Sequence, residues 1–185
     1  MLARLQPDAL VPGATELVSG PRAFLTEARA ALPDADLRYV ATNWSAEDPA
    51  LQVARSRVVS VAAPGGTRTL AFVGIVDPAL ADWIPELEDE GVTLLDPVSS
   101  VQAEVESLHA DHTLDAVIAL TSARGPLLSE LRRRLRGVSV LAGDPSFATL
   151  RVEERDVHLR PVGEDREAAP LSVSLDGVAA LDLSF

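Results

Sequence analysis

The sequence predicts an α/β domain with a mainly parallel sheet, and two patterns carry this prediction. Over the first 150 residues, short apolar runs alternate with stretches of helical periodicity, which is typical of β-α units. After Phe147, several segments alternate apolar and polar residues, as antiparallel strands with one solvent-facing side do. A chain of 185 residues can bury a core of its own. We therefore expect a single domain over 1–185, with a β/α part over 1–147 and antiparallel strands over 148–185.

Each strand of the β/α part is predicted from a short run of apolar residues. The runs lie at residues 9–11, 37–41, 55–62, 69–76, 115–120 and 138–142. Pro64-Gly65-Gly66 separates the third run from the fourth, so these two are predicted to form a hairpin. The last two runs flank a helical stretch, which predicts that they lie parallel. In the C-terminal part, the predicted strands are 149–153, 157–162, 171–175 and 178–183, with a loop over 163–170.

Three helices are predicted from apolar residues at helical spacing and from the residues at their ends. Pro21 lies in the first turn of one helix, and Pro126 opens another, which Gly137 closes. Asp96 can cap the remaining helix, with Pro97 as its first residue. The predicted buried faces are Phe24, Leu25, Ala28 and Leu32; Val98, Val101, Val105 and Leu108; and Leu127, Leu128, Leu131 and Leu135.

Composition restricts the classes of partner. Acidic residues outnumber basic ones 28 to 16, and the resulting net charge of −12 repels phosphate backbones and anionic lipid. The chain has no cysteine, which excludes disulfides and thiolate metal sites. No apolar run is long enough to cross a bilayer, and residues 1–6 lack the apolar core of a signal peptide. We expect neither nucleic acid nor a membrane as partner, and either a cytoplasmic protein or a chain without its natural beginning.

A binding site is expected where the parallel strands end. In open α/β sheets, ligands gather at the carboxyl ends of the strands, because loops and helix N-termini converge there. Four loops are predicted at that edge, at residues 12–16, 42–45, 121–125 and 142–146.

Those loops carry a resemblance to a known family. Residues 8–20 look like the G-N-H-E-F-D-x-G region of the 5'-nucleotidase-type metallophosphoesterases, in the calcineurin-like phosphoesterase superfamily. Residues 41–44 are similar to that family's S-A-N-V segment, residues 117–122 resemble its V-I-A-L-T-H segment, and residues 142–146 lie where it has G-G-H-S-H. The similarity covers roughly residues 8–160. It implies a metallophosphoesterase-like α/β sandwich, in which mixed sheets are flanked by helices.

The resemblance also identifies positions at which this chain departs from the family. The Asn and His of G-N-H-E, a metal ligand and the catalytic histidine, align with Ala14 and Thr15. Ligand histidines in the other motifs align with Ser122, Asp144 and Ser146. A dinuclear centre needs imidazole and carboxylate ligands, which alanine, threonine and serine do not replace. We therefore expect no catalytic residue, no metal site and no cofactor, where the family would use two divalent metals such as Mn or Zn.

The resemblance has a further implication for completeness and function. The family begins with a D-x-H strand and a G-D-x-x-x-G motif, and nothing before Asp8 encodes them. We therefore expect a domain incomplete at its N-terminus that is catalytically inactive and serves as a structural or protein-interaction module. Another protein chain or a homo-oligomer would cover the incomplete sheet. The resemblance implies a periplasmic or extracellular location, although this chain shows no signal peptide.

Two alternatives stay open beside this hypothesis. The first is a metal-dependent hydrolase of nucleotides or other phosphate esters, with atypical ligands or with a partner chain supplying the rest of the centre. The second is a domain that binds a nucleotide or another anion without turnover.

Four polar residues on the predicted loops are candidates for a repurposed pocket: Glu16, Asn43, Arg124 and Asp144. The carboxylates of Glu16 and Asp144 could hold a hard cation weakly. Capping or turn formation explains Asn43 and Asp144 nearly as well, and a surface ion pair is the alternative for Arg124.

Other conspicuous residues have ordinary structural interpretations. His109 and His112 are predicted to face solvent near the C-terminal end of a helix, where the helix dipole favours them. Trp44 and Trp83 are interpreted as packing residues rather than as a platform on which bases stack. The basic cluster on the last predicted helix is interpreted as a solvated helix face; its members are Arg132, Arg133, Arg134 and Arg136.

Overall fold

The computed structural model of this chain describes residues 7–32, 38–63, 66–123, 125–143, 159–161 and 181–183. They form a mixed α/β structure, as the sequence predicts. The α-helices are α1 (Ala14–Leu17), α2 (Pro21–Ala31), α3 (Glu86–Asp89), α4 (Pro97–Asp111) and α5 (Gly125–Arg134), and two short 3-10 helices span Pro49–Leu51 and Pro78–Asp82. The strands are β1 (Trp44–Ala46), β2 (Ser56–Ala63), β3 (Gly66–Ile75), β4 (Val92–Leu94), β5 (Ala116–Thr121), β6 (Val140–Ala142), β7 (Leu159–Pro161) and β8 (Leu181–Leu183). None of these helices has the length and apolar character needed to span a membrane.

The main sheet has four strands in the order β2-β3-β5-β6. β2 and β3 form the predicted antiparallel hairpin, with Ala63 opposite Gly66 at its tip. β5 pairs with β3 in parallel, and β6 extends the sheet in parallel beyond β5, as predicted. The carboxyl ends of the three parallel strands, at Ile75, Thr121 and Ala142, therefore lie at one edge of the sheet.

Helices α4 and α5 cover one face of this sheet, and both follow the predicted pattern. The Asp96 carboxylate accepts a hydrogen bond from the Ser99 amide at 2.8 Å, and Pro97 follows as the first residue of α4. After α5, Gly137 has a φ of 68°, a left-handed conformation that glycine adopts without steric strain. The helix side chains buried against the sheet are Val98, Val101, Val105, Leu108, Leu128 and Leu131.

The opposite face of the main sheet carries a second apolar cluster. Four buried residues form this cluster: Leu70, Ala116, Ile118 and Val140. They lie on this face because their side chains alternate along the strands with those that meet α4 and α5. A sheet with two apolar faces is typical of parallel strands that are covered on both sides.

The N-terminal part forms a separate core around α2. Phe24, Leu25 and Ala28 are buried there, as predicted for this helix. The rings of Phe24 and Tyr39 meet edge to face, with their centroids 4.8 Å apart. Other buried members of this core are Leu17, Leu32, Trp44, Leu51, Ile84 and Leu87.

Two predicted strands of the N-terminal part are reduced to single bridges. Leu10 pairs with Tyr39 and Val40 pairs with Ala54, both in parallel. The antiparallel pair of β1 and β4 is not predicted from the sequence. Strands of three residues are too short to show the period of two on which such a prediction depends.

The described C-terminal residues form an antiparallel pair, β7 and β8, in which Leu159 lies opposite Leu183. These strands fall within the predicted strands 157–162 and 178–183. The predicted strands at 149–153 and 171–175 lie outside the described residues.

The Thr42–Asn43 turn connects the N-terminal core to the end of β3. Both side chains are fully buried. The Thr42 amide donates to the Gly74 carbonyl at 2.7 Å, and the Gly74 amide donates to the Thr42 hydroxyl at 3.1 Å. The Asn43 side-chain amide donates to the carbonyls of Val76 and Leu95 at 2.9 and 3.2 Å and accepts from the Val76 amide at 2.9 Å. These bonds fix the ends of β3 and β4 against the turn.

Gly74 is the residue of β3 that allows this contact, and its substitution gives a first prediction. A Cβ atom at Gly74 would lie 1.9 Å from the Val40 carbonyl oxygen, so Gly74→Ala must displace backbone. We expect it to lower the free energy of unfolding by about 3 kcal/mol or more, the upper end of the effect of overpacking. Urea unfolding at pH 7 measures the loss.

Gly13→Ala is the matched control for this variant. An added Cβ there would come no closer than 3.3 Å to another heavy atom, the carboxylate oxygen Oε2 of Glu16. The expected loss is below about 1 kcal/mol, since Gly13 is only the cap residue of a short helix. Equal losses for the two variants would contradict the role assigned to Gly74.

The cap of α4 gives a second prediction, because the bonds from Ser99 lower the pKa of Asp96 below its ordinary value of 3.8. A lowered pKa in the folded state means that the ionised cap stabilises the fold above that ordinary value, and that this contribution disappears as the pH falls through the folded-state pKa. We expect Asp96→Ala to cost about 1 kcal/mol at pH 7 and less in acid. Asp96→Asn keeps an acceptor and should cost less at pH 7. Unfolding curves at pH 7 and pH 3 measure both, and an undiminished Asp96→Ala penalty in acid would contradict the assignment.

Candidate functional site

The loops predicted to form a site meet at the carboxyl edge of the main sheet. A Cβ atom placed on Gly13 would lie 3.6 Å from the Cβ atom of Ser122, which brings the loop before α1 against the loop after β5. A Cβ atom placed on Gly143 would lie 3.0 Å from the Cγ2 atom of Thr121, which adds the loop after β6. The described parts of these loops, residues 12–16, 42–45, 121–123 and 142–143, are named the loop row below.

Ser122, which the resemblance aligns with a ligand histidine, lies in the loop row, and its hydroxyl has a backbone partner. The Ser122 Oγ atom accepts a hydrogen bond from the Asp77 amide at 3.2 Å. The Ser122 amide donates to the Ile75 carbonyl at 3.1 Å. The residue after β5 is therefore bound to the residues that end β3. A neutral hydroxyl in this position is a poor ligand for a transition metal.

Asp77 also lies at this edge of the sheet and is not among the site residues predicted from the sequence. Its carboxylate accepts a hydrogen bond from the Ala79 amide at 3.0 Å and so caps the 3-10 helix Pro78–Asp82. The residue pair Asp77-Pro78 after an apolar run has the same form as Asp96-Pro97, which was recognised as a cap. That pattern could have identified Asp77.

Helix α1 presents its polar residues to solvent. Ala14, Thr15 and Glu16 are all exposed. One carboxylate oxygen of Glu16 accepts a hydrogen bond from the Gly13 amide at 3.0 Å, which closes the first turn of the helix. Burial raises the pKa of the Tyr39 phenol, and the nearby negative charge of Glu16 raises it further. Glu16 is thus an exposed carboxylate of the loop row that already has a backbone partner.

Asn43 lies in the loop row but offers no accessible surface, since its exposed fraction is 0%. Its amide group is bonded to the backbone of residues 76 and 95, as described for the Thr42–Asn43 turn. The alternative interpretation of Asn43, that it stabilises a turn, matches these contacts. The other two candidates for a pocket, Arg124 and Asp144, lie outside the described residues, as does Ser146.

The described part of the loop row has limited means of holding a cation. Among the residues that the structure describes, no three His, Cys, Asp or Glu side chains are close enough together to bind a metal ion. The carboxylates of Glu16 and Asp77 each accept a backbone hydrogen bond. Two carboxylates and a hydroxyl suit a hard cation better than a transition metal.

The surface histidines and the basic cluster lie where the sequence predicts them. His109 is in the last turn of α4, His112 follows the helix, and both are exposed. Arg134 forms an ion pair with Glu130 one turn earlier on α5. Arg136 donates to the carbonyls of Arg133 and Leu135 beyond the helix end.

The two tryptophans differ from each other, and only one follows the prediction. Trp44 is buried, and its Nε1 atom donates to the Leu51 carbonyl at 2.9 Å. Trp83 is 81% exposed, so its interpretation as a packing residue is wrong. The neighbouring residues Ile84 and Leu87 take the core positions of this segment instead.

The chain resembles solved structures in fold, although no family model and no curated protein matches its sequence. The calcineurin-like phosphoesterase YfkN from Bacillus subtilis superposes with a TM-score of 0.58 at 16% sequence identity, over 77% of this chain and 46% of that one. The NAD nucleotidase NadN from Haemophilus influenzae gives a TM-score of 0.56 at 13% identity, over 74% of this chain and 26% of that one. This chain therefore spans less than half of either protein. Its structure is part of a calcineurin-like metallophosphoesterase fold.

Proposed function

We propose that this chain is a catalytically inactive metallophosphoesterase-like domain that acts as a structural or protein-interaction module. The observation that supports this proposal is the chemistry of the loop row. Its loops converge at the carboxyl edge of the sheet, and they carry Ala14, Thr15 and Ser122 where the resemblance aligns a metal ligand, the catalytic histidine and a ligand histidine.

The missing ligands would have to be replaced for a two-metal mechanism. In such a mechanism, two divalent cations bind the phosphate oxygens and generate hydroxide from water. The family's histidines would supply imidazoles, and the two described positions of the loop row that align with them, Thr15 and Ser122, have none. The Ser122 hydroxyl and the Glu16 carboxylate are turned to backbone amides, at 3.2 and 3.0 Å, and Asn43 is fully buried. Each of these groups stabilises the loop that carries it.

The interaction role is supported by the edges of the main sheet. β2 is an eight-residue strand that pairs on one side only within the described sheet, so the backbone groups on its other side can pair with a further strand. Val59 and Val61 of β2 are only partly buried. The chain also spans 46% of YfkN, so much of that fold has no counterpart in it. Another protein chain, or a second copy of this one, would complete the sheet.

The rival function is a phosphate-ester hydrolase that works with a partner chain. The similarity to part of a phosphoesterase and part of an NAD nucleotidase favours it, because a second chain could bring the ligands that this one lacks. It requires Glu16 or Asp144 to contact metal in the assembled centre.

Metal content distinguishes these functions and gives a third prediction. Purified protein is incubated with Mn²⁺ or Zn²⁺, dialysed, and analysed by mass spectrometry of the metal. We expect fewer than about 0.1 ions per chain, where an intact dinuclear centre would retain close to two. The same samples are assayed for hydrolysis of AMP and of p-nitrophenyl phosphate, with no turnover expected.

Two variants test whether any metal that is retained is bound at the loop row. Glu16→Gln removes the exposed carboxylate of the loop row, and Glu106→Gln removes one from the exposed surface of α4 as a control. Retention of close to two ions, lost in Glu16→Gln and kept in Glu106→Gln, would contradict the proposal and favour the hydrolase.

The interaction role gives a fourth prediction, which concerns the oligomeric state. We expect multi-angle light scattering to show a mass above that of one chain that rises with concentration, because the edge of β2 that has no partner within the described sheet can pair with a further strand. An apolar dye that fluoresces on binding should report exposed apolar surface wherever the chain is alone. A stable monomer that binds no dye at any concentration would contradict this role.

A further inference from the structure

An exposed tryptophan stands on a segment whose backbone is held firmly by the N-terminal core. Trp83 follows the 3-10 helix Pro78–Asp82, and its amide donates to the Leu80 carbonyl at 3.0 Å. Ile84 and Leu87, on either side of the start of α3, are buried in the core. The indole nevertheless points outward and is 81% exposed, which is more than any other large apolar side chain of the described residues. A large aromatic surface is thus presented from a fixed backbone.

The segment around Trp83 is acidic throughout. Residues 77–96 contain seven acidic side chains and no basic one. Four of them are exposed and, among the described residues, take part in no ion pair: Asp82, Glu86, Glu88 and Asp89. Trp83 and these four carboxylates are named the Trp83 surface.

Three acidic residues elsewhere in the described chain are each paired with an arginine. Asp48 pairs with Arg22 at 2.8 Å, Glu104 with Arg55 at 2.8 Å, and Asp115 with Arg68 at 2.9 Å. The negative charge of the Trp83 surface is not balanced in this way. It therefore remains available to a cationic partner, and the field of four neighbouring carboxylates favours one.

We propose that the Trp83 surface binds a segment of another protein in which Arg or Lys side chains lie next to an apolar residue. The face of an indole is the best aromatic acceptor for a guanidinium or ammonium group. Tryptophan is also among the residues that contribute most to protein interfaces when it becomes buried. The carboxylates around it would pair with the remaining cationic groups and set the orientation of the segment.

Charge complementarity argues against a second copy of this chain as the occupant. A symmetric contact would place the same carboxylates against each other across the interface. The chain's own basic cluster on α5 is partly engaged, since Arg134 pairs with Glu130 and Arg136 donates to backbone carbonyls. This inference is independent of the proposed function, because the Trp83 surface lies outside the loop row and uses none of its residues.

Fluorescence anisotropy with a labelled peptide tests the proposal. The probe is a synthetic peptide in which Arg and Leu alternate, and a second peptide has Gln in place of every Arg. At physiological ionic strength, where long-range attraction between exposed charges is largely screened, we expect saturable binding of the Arg peptide only. Trp83→Ala should weaken that binding about tenfold or more. The double variant Asp82→Asn/Glu86→Gln should weaken it as well.

A matched double variant separates this site from general attraction to an acidic protein. Glu106→Gln/Asp111→Asn makes the same change in charge at exposed positions of α4, and it should change binding by less than about twofold. Circular dichroism checks that each variant is folded, as expected for substitutions of exposed side chains.

Three results would overturn the proposal. The first is that the wild-type chain binds neither peptide or both equally. The second is that Trp83→Ala binds like the wild type, or that the control variant on α4 weakens binding as much as Asp82→Asn/Glu86→Gln. The third is that Trp83→Ala converts a self-associated chain to a monomer in light scattering, because the occupant would then be a second copy.

Discussion

The close approach of the Thr42–Asn43 turn to the end of β3 is the constraint on which the rest of the structure depends. It requires Gly74, because any side chain there would overlap the Val40 carbonyl. The same turn fixes Val76, because the Asn43 side chain donates to the Val76 carbonyl and accepts from the Val76 amide, both at 2.9 Å. Asp77 follows Val76, and its amide donates to the Ser122 hydroxyl, so this contact is linked directly to the loop row. The N-terminal core and the main sheet are joined through this contact.

The polar groups of the loop row form hydrogen bonds with the backbone of the loops themselves. A metal centre needs several lone pairs directed at one point outside the backbone. In this chain the polar groups of the row are directed at backbone amides, as Ser122 is at Asp77 and Glu16 at Gly13. The proposal that the domain is inactive agrees with this arrangement.

Much of the fold could be predicted from the sequence because its signals are local. The cap at Asp96, the spacing of Val98, Val101 and Val105, and the Pro-Gly-Gly turn act within one helix or one hairpin. The structural role of Asn43 depends on hydrogen-bond partners that lie 33 and 52 residues away in the sequence, and no local pattern reveals them. Trp83 was misassigned for a related reason: its apolar neighbours fill the core, and only the three-dimensional structure shows which side chain is left outside.

Because the two tryptophans differ in exposure, the intrinsic fluorescence of the chain has two distinguishable components. Trp44, 5% exposed and bonded to a carbonyl, should emit at shorter wavelength and resist quenching by acrylamide. Trp83, 81% exposed, should emit at longer wavelength and be quenched readily. Loosening of the N-terminal core would therefore appear as a red shift of the protected component, while events at the outer surface would change the accessible one. A single chain thus reports its interior and its surface separately, without any added label.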